Sequence, residues 1–332
     1  MNRNLKILTV LFIILIVSFI TSVMIGSVII MPSEIFNAAQ ENDVMRKIIF
    51  DIRLPRVLNA LFIGAALSCS GIILQSLLRN NLAEAGLLGI SAGAGLGAIL
   101  FFMFSFSSFY LITPISFISA LLTTLLIFYI SKGLNNKYTN FLSSNKIILA
   151  GIAINALLSS INGFLLIYSG KSISHIIFWL SGGLSGKGWN EFLSTSGFIS
   201  AGLIISSLLS KEYNVLSLGT DMSQTLGLNT KRLQMLSIVL SSVLAASAVS
   251  VAGIISFVGL IIPNIAKLIF GADHKYTIPG SILLGGIFLL VSDTIARTVI
   301  SPSEIPVGIV TSFIGAPIFI WLIFKKNNTE NQ

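Results

Sequence analysis

The sequence predicts an all-α membrane protein that crosses the lipid bilayer about ten times. Of its 332 residues, 54% are hydrophobic and 10% are charged, where soluble domains carry about 25% charged residues. Mean hydropathy is +0.94. A hydrocarbon core of about 30 Å asks for about 20 apolar residues per helical crossing. Uncharged runs of that length recur: Ile7 to Ser33, Val57 to Leu78, Ala85 to Ser131 and Ile147 to Gly170. Continuous runs indicate helices, which satisfy their own backbone hydrogen bonds in lipid. A barrel would show short alternating segments.

Taken in order, candidate spans lie near 7–30, 54–78, 86–106, 111–131, 146–169, 193–210, 233–250, 253–270, 278–298 and 305–324. The first exceeds the apolar core of a secretory signal and ends without a small-residue cleavage site, so it reads as a retained helix. Pro55 suits the first turn of the second. The uncharged run Leu233 to Ala266 is too long for one crossing and is divided at Gly253. An even number of spans puts both termini on one side. With the N-terminus inside, the inner segments hold Arg3, Lys6, Arg79, Lys132, Lys137, Lys146, Lys211, Lys231, Arg232, Lys267, Lys275, Lys325 and Lys326. The outer segments keep Arg46, Lys47, Arg53, Arg56, Lys171, Lys187 and Arg297. Basic residues favour the cytoplasm, so both termini are expected there. The net charge of +8 then reports topology rather than nucleic-acid binding.

Few residues could carry chemistry. Cys69 is the only cysteine, and His175 and His274 lie far apart, so no metal site or cofactor is expected. Gly89, Gly93 and Gly97 recur every four residues and predict a close helix contact. Asn155, Ser159 and Asn162 share one helix face, and Gly64, Ser68 and Gln75 form a weaker stripe. Two readings stay open for these faces: a wet pathway, or hydrogen bonds between helices. Asp293 is the only carboxylate inside a predicted span, four residues before Arg297. Proton-driven carriers bury ionisable relays, so the energy source is expected elsewhere. Ser181 to Gly188 lacks the first Gly and the final Ser or Thr of a P-loop. Gly183-Leu-Ser-Gly186 has the look of an intramembrane serine protease motif, but Ser185 and His274 are expected on opposite sides of the membrane, where no base reaches a nucleophile.

The inner loop 211–232 contains Thr220-Asp221, which can cap a short helix presenting Met222 and Leu226, with Gly227 to end it. Docking to a partner and lying in the membrane interface are both open for it. Arg53 and Arg56 flank Pro55, where snorkelling to the interface is the plain alternative to a contact role.

Several segments together resemble the permease family that imports ferric siderophores, haem and cobalamin (FecCD-type, type II ABC importers). They are Arg53-Leu-Pro-Arg56, Gly64-Ala-Ala-Leu67 with Gly71, and Arg79 to Ser91. Leu149-Ala-Gly-Ile-Ala153, Phe178 to Gly186 and Leu218-Gly-Thr-Asp221 follow. The longest is Gly253-Ile-Ile-Ser-Phe-Val-Gly-Leu-Ile-Ile-Pro-Asn264, then Asp273-His274, Glu304 to Thr311 and Gly315-Ala-Pro317. Asn81 stands where the family often has Pro, and Asn264 where it often has His. The resemblance implies a cobalamin-importer-permease-like fold forming one transmembrane domain over 1–332. It also implies a second permease subunit, identical or related, two cytoplasmic ATPase subunits, and an extracellular or periplasmic binding protein. An iron–siderophore or similar chelate is the implied cargo, with haem or cobalamin as alternatives within the family. Arg53, Arg56 and Arg297 would meet acidic residues of the binding protein. Asn80, Leu82, Ser144 and Asn145 would form the cytoplasmic gate. Gly219, Thr220, Asp221, Met222, Leu226 and Gly227 would dock the ATPase. From the polar faces alone, Ser68, Gln75, Asn155, Ser159 and Asn162 are candidates to line the pathway. Outside the family, an ion-coupled secondary transporter and an intramembrane serine protease are the rival readings.

Overall fold

The structure, a computed structural model, describes residues 3–26, 30–31, 43–104, 109–133 and 144–330. Its helices are α1 (Arg3–Met24), α2 (Leu54–Leu78), α3 (Ile90–Met103), α4 (Ile112–Gly133), α5 (Ser144–Ile167), α6 (Ile173–Leu180), α7 (Trp189–Leu208), α8 (Ser210–Ser217), α9 (Thr220–Thr225), α10 (Thr230–Ala252), α11 (Val258–Phe270), α12 (His274–Thr298) and α13 (Val307–Glu330). Among the described residues, eight helices are long and apolar enough to cross a membrane. The shorter apolar helices α3 and α11 complete the expected set, and the break falls at Gly253, after α10.

Boundaries moved where a cap or a neighbour decides them. α1 ends at Met24 rather than near residue 30, because Arg53, just before α2, and Arg297 of α12 take its last carbonyls. α7 starts at Trp189 rather than 193, since Gly188 N–H donates to Glu191 Oε2 at 2.9 Å and closes the first turn. α3 starts at Ile90, after a tight turn at Ala85–Leu88. The short α6 and the wide helical turn Lys47–Arg53 leading into α2 fall between the expected spans. Residues 27–29, 32–42, 105–108 and 134–143, with Lys137, lie outside the described residues.

α2 is the hub. It packs against α12, α10, α11 and α7, and its span is 83% buried, against 17% for α1 and for α5. Backbones meet directly along it. A Cβ at Gly71 would lie 1.9 Å from the Gly259 carbonyl oxygen, and one at Gly64 would lie 2.2 Å from that of Gly285. Small residues allow this approach, and hydroxyls fasten it. Ser68 Oγ donates to the Ser281 carbonyl at 2.8 Å, and Ser70 Oγ to that of Ser241 at 2.9 Å. The expected glycine face of α3 packs likewise, with Gly93 and Gly97 set against Ser119 and Thr123 of α4. Peripheral helices turn apolar side chains such as Val17, Leu125 and Phe313 outward, as a lipid-immersed body requires.

The α2 seam makes a simple test. Gly71→Ala forces helix α2 from α11 and is expected to cost about 1–3 kcal/mol, seen as a lower unfolding temperature in detergent. Gly197→Ala, where an added Cβ meets nothing within 4 Å, is expected to leave that temperature unchanged or raise it slightly.

Candidate transport site

At the end of the bundle where α2 begins, five charged side chains cluster: the buried Arg53, Arg56, Asp293 and Arg297, with the partly exposed Glu304. Arg56 grips Asp293 of α12 at 2.9 Å through Nη2, and Glu304 of the α12–α13 connection at 2.8 Å through Nη1. Arg297 Nε stands 3.5 Å from Asp293, one turn along α12 as the spacing predicted. Arg53 Nη1 donates to the carbonyls of Val23 and Met24, each at 3.0 Å, and Arg297 donates to that of Ser22. Two guanidinium groups thus satisfy the orphan carbonyls at the negative end of α1. Arg53, Arg56 and Arg297 are 6%, 8% and 5% exposed. Carbonyls and carboxylates inside the fold engage all three. Burial tends to raise the Glu304 pKa, but hydrogen bonds and charge from Arg56, with a hydrogen bond from Ser185, hold its carboxyl below the usual range. Ser185 therefore belongs to this cluster. His274 opens the far end of α12, a helix of 25 residues and so about 37 Å long. No protease dyad forms.

Below the cluster, a cleft of about 660 Å³ runs between the end of α6, the α10–α11 break and α13. Ser181, Ile254, Ser256, Ile309, Ser312 and Phe313 are among its walls. Three unwound or bent backbones meet here. Gly183 N–H donates to the Ala252 carbonyl at 2.7 Å, and Gly308 N–H to that of Gly182 at 3.0 Å. Gly253 has φ +70°, and a Cβ on it would lie 2.0 Å from the Trp179 carbonyl oxygen. Phe257 is held at φ +71°, a conformation uncommon for a bulky residue. Irregular backbone at membrane depth is tolerated where protein or a cavity surrounds it, and interrupted helices mark binding sites in many transporters. Sequence reading missed this cleft. Its signal was the set of glycines at 182, 183, 253 and 308, which lie far apart in the chain.

The polar faces chosen from sequence sit elsewhere. Ser68 and Gln75 are buried on α2. Asn155 Nδ2 donates to the Gly86 carbonyl at 2.7 Å, and Asn162 Nδ2 to that of Ala92 at 3.0 Å. Both asparagines tie α5 to α3 and its leading turn, while Ser159 faces outward.

At the opposite end, Lys267 Nζ joins Gln75 Oε1 at 2.7 Å and Asn81 Oδ1 at 2.9 Å, and Asn264 Nδ2 donates to the Asn81 carbonyl at 2.9 Å. The two positions that depart from the family pattern thus touch one another. Asn80 Oδ1 accepts from Leu82 N–H at 2.9 Å, and Leu82 is 55% exposed. Ser144 and Asn145 open α5, and no hydrogen bond among the described residues joins them to Asn80 or Leu82. The expected elbow is α9, bounded by Gly219 and Gly227, both at positive φ. Thr220 and Asp221 form its first turn, and Met222 and Leu226 project from it, 58% and 60% exposed. α8 fixes this elbow to the bundle. Tyr213 pairs with Ser237 at 3.0 Å. Asn214 donates to Asp273 at 2.8 Å and accepts from His274 N–H at 2.8 Å. His274 Nε2 meets Ser76 of α2 at 2.6 Å. The Asn214 hydrogen bond holds the Asp273 carboxyl below its ordinary value, helped by the Lys275 amide and charge.

A profile of the FecCD transport family matches residues 14–325. The chain belongs to the FecCD transport family. It is 38% identical to the hemin transport system permease protein HmuU of Yersinia pestis over 296 residues, 87% of each chain. It is 33% identical to the iron(3+)-hydroxamate import system permease protein FhuG of Bacillus subtilis, over 98% of each chain. A solved inward-facing metal-chelate type ABC transporter superposes with a TM-score of 0.86 at 32% identity, covering 96% of this chain and 99% of that one. The chain is accordingly a multi-pass transport permease subunit with this family's fold, and the secondary-carrier and protease readings give way to it.

Two outcomes test the charged cluster. Asp293→Asn strands buried guanidinium charge and is expected to cost about 3–5 kcal/mol, while joint Arg56→Met and Asp293→Leu costs less, both read from unfolding temperature. Glu304 has a depressed folded pKa, so its contribution is complete above the ordinary value of about 4.3 and fades as pH falls through the folded value. The unfolding temperatures of wild type and Glu304→Gln are expected to differ near neutral pH and to converge in acid.

Proposed function

We propose that this FecCD-family chain is the membrane-spanning subunit of an ABC importer for an iron chelate, a ferric siderophore or haem. The observation that carries the reading is the cleft of interrupted helices, about 660 Å³, within a fold shared over almost its full length with iron-chelate permeases. The cleft is open on one side, so a second permease subunit, identical or related, would complete it. The proposal includes one transmembrane domain over the whole chain, with both termini cytoplasmic, following the distribution of Lys and Arg.

Two cytoplasmic ATPase subunits would supply the work. Each would seat the α9 elbow, Gly219 to Gly227, whose exposed Met222 and Leu226 suit burial against a partner. ATP-driven closure would shift the elbow, and α8 would carry the shift to α2 and α12. Leu82 and Asn80, with Ser144 and Asn145, would gate the cytoplasmic end. An extracellular or periplasmic binding protein would dock at the other end. Because Arg53, Arg56 and Arg297 are already engaged, an incoming carboxylate would have to displace Glu304 from Arg56.

Uptake of labelled ferric hydroxamate and of haem by a deletion strain, complemented with this chain, tests the cargo; transport of neither removes the iron-chelate reading. Met222→Glu with Leu226→Glu is expected to lower transport-coupled ATP hydrolysis on the order of 10-fold or more, since burying each apolar side chain is worth about 1.5–3 kcal/mol. Undiminished coupling would remove the elbow role. Glu304→Gln is expected to speed binding-protein association several-fold at low salt and Arg56→Glu to slow it, as measured by surface-based kinetics. Equal on-rates for all three forms would rule out the exchange.

A further inference from the structure

The bundle carries a further concavity, apart from the cleft between α6, α11 and α13. It lies between α4 and α10, has a volume of about 250 Å³, and is walled by Leu125, Phe128, Met235, Ile238 and Val239 among others. Its two kinds of polar wall are silent. Thr124 Oγ1 bonds the Ala120 carbonyl at 3.1 Å, and Ser242 Oγ donates to the Ile238 carbonyl at 2.6 Å. Leu125 and Val239 are exposed, so the groove faces outward from the bundle.

Helical spacing places charge at one end of this groove. Lys132 follows Phe128 by four residues, so it stands one turn further along the same stripe of α4. Lys231 and Arg232 precede Met235 by four and three residues, one turn further along the matching stripe of α10. As the fourth and seventh spans in chain order, α4 and α10 run antiparallel, and Phe128 and Met235 both line the groove, so the three cations are placed at the same mouth. All three are exposed. Among the described residues none of them has an ion pair or side-chain hydrogen bond within the protein.

We propose that this groove binds an anionic phospholipid of the surrounding bilayer. One acyl chain lies along the apolar walls, and the headgroup phosphate sits among Lys132, Lys231 and Arg232. Charge complementarity selects the occupant. An uncharged chain would fill the groove but leave the cations unanswered, whereas a phosphate diester with two acyl tails answers both at once. Basic pockets between transmembrane helices recognise anionic headgroups in this way. The assignment rests on two membrane-spanning helices and does not depend on cargo or on partners.

The test uses the full-length chain purified in detergent and titrated with phosphatidylglycerol or phosphatidylcholine, with native mass spectrometry counting bound lipid. Phosphatidylglycerol is expected to bind the wild type in preference to phosphatidylcholine. Lys132→Gln, Lys231→Gln and Arg232→Gln together are expected to weaken it on the order of 100-fold, about fivefold per charge. Val239→Trp, which fills the groove from an exposed position, is expected to weaken it with all three cations intact. Inorganic phosphate is expected neither to compete nor to raise the unfolding temperature. Equal retention of the two lipids, retention unaffected by the triple variant, or protection by phosphate alone would each overturn the proposal. So would dissociation of a permease dimer by Val239→Trp, which would give the groove to a second copy of this chain.

Discussion

The direct backbone contact of α2 with its neighbours governs the rest of the molecule. A helix surrounded by protein in a membrane gains nothing from leaving water, because lipid is as apolar as its side chains. Association must come from packing and hydrogen bonds. α2 meets α11 through Gly71 against Gly259 and α12 through Gly64 against Gly285. At those distances no side chain separates the backbones, and Ser68 and Ser70 add hydrogen bonds that do not require water. Position along α2 is consequently fixed to within small tolerances. Its first turn must bring Arg56 to Asp293, and its last must bring Ser76 to His274.

The charged cluster is a product of that geometry. Arg56 and Asp293 are buried on facing helices, where an unpaired ion would be severely destabilising. With Glu304 closing one side and the α1 carbonyls taking up Arg53 and Arg297, each charge finds a partner. The cluster thereby joins α1, α2, α12 and the connection into α13 at a single end. That connection leads into Gly308, which lines the cleft and whose amide bonds the Gly182 carbonyl. A disturbance of Glu304 therefore has a short covalent and hydrogen-bonded route to the cleft.

Much of this was legible in the sequence, for a definable reason. Membrane crossings depend on apolarity summed over about 20 residues, which is local information. Even the division of Leu233 to Ala266 followed from length alone. The spacing of Gly93 and Gly97, and of Asp293 and Arg297, gave contacts that the structure contains. The fate of polar side chains was not legible, because it depends on partners remote in the chain. Gln75 finds Lys267 from 192 residues away, and Asn155 finds the Gly86 carbonyl. The carbonyl partners of Arg53 and Arg297 at Val23, Met24 and Ser22 were likewise beyond local spacing. Asn81 and Asn264 looked like independent departures until folding set them in contact.

The end of the bundle that carries α9 shows how an elbow of six residues could influence a bundle of long helices. α9 itself is small, but α8 behind it is anchored at three points. Tyr213 reaches Ser237 of α10, while Asn214 reaches Asp273 and His274, and His274 reaches Ser76 of α2. Three spans are thus grasped within one turn of α8, and a rigid shift of that turn moves their ends together. A partner can drive such a shift only by binding its two positions with different free energies. Closely packed seams such as that of α2 favour discrete arrangements over gradual bending. The same glycine contacts that hold the fold together would then convert a small push at α9 into a concerted change at the cleft.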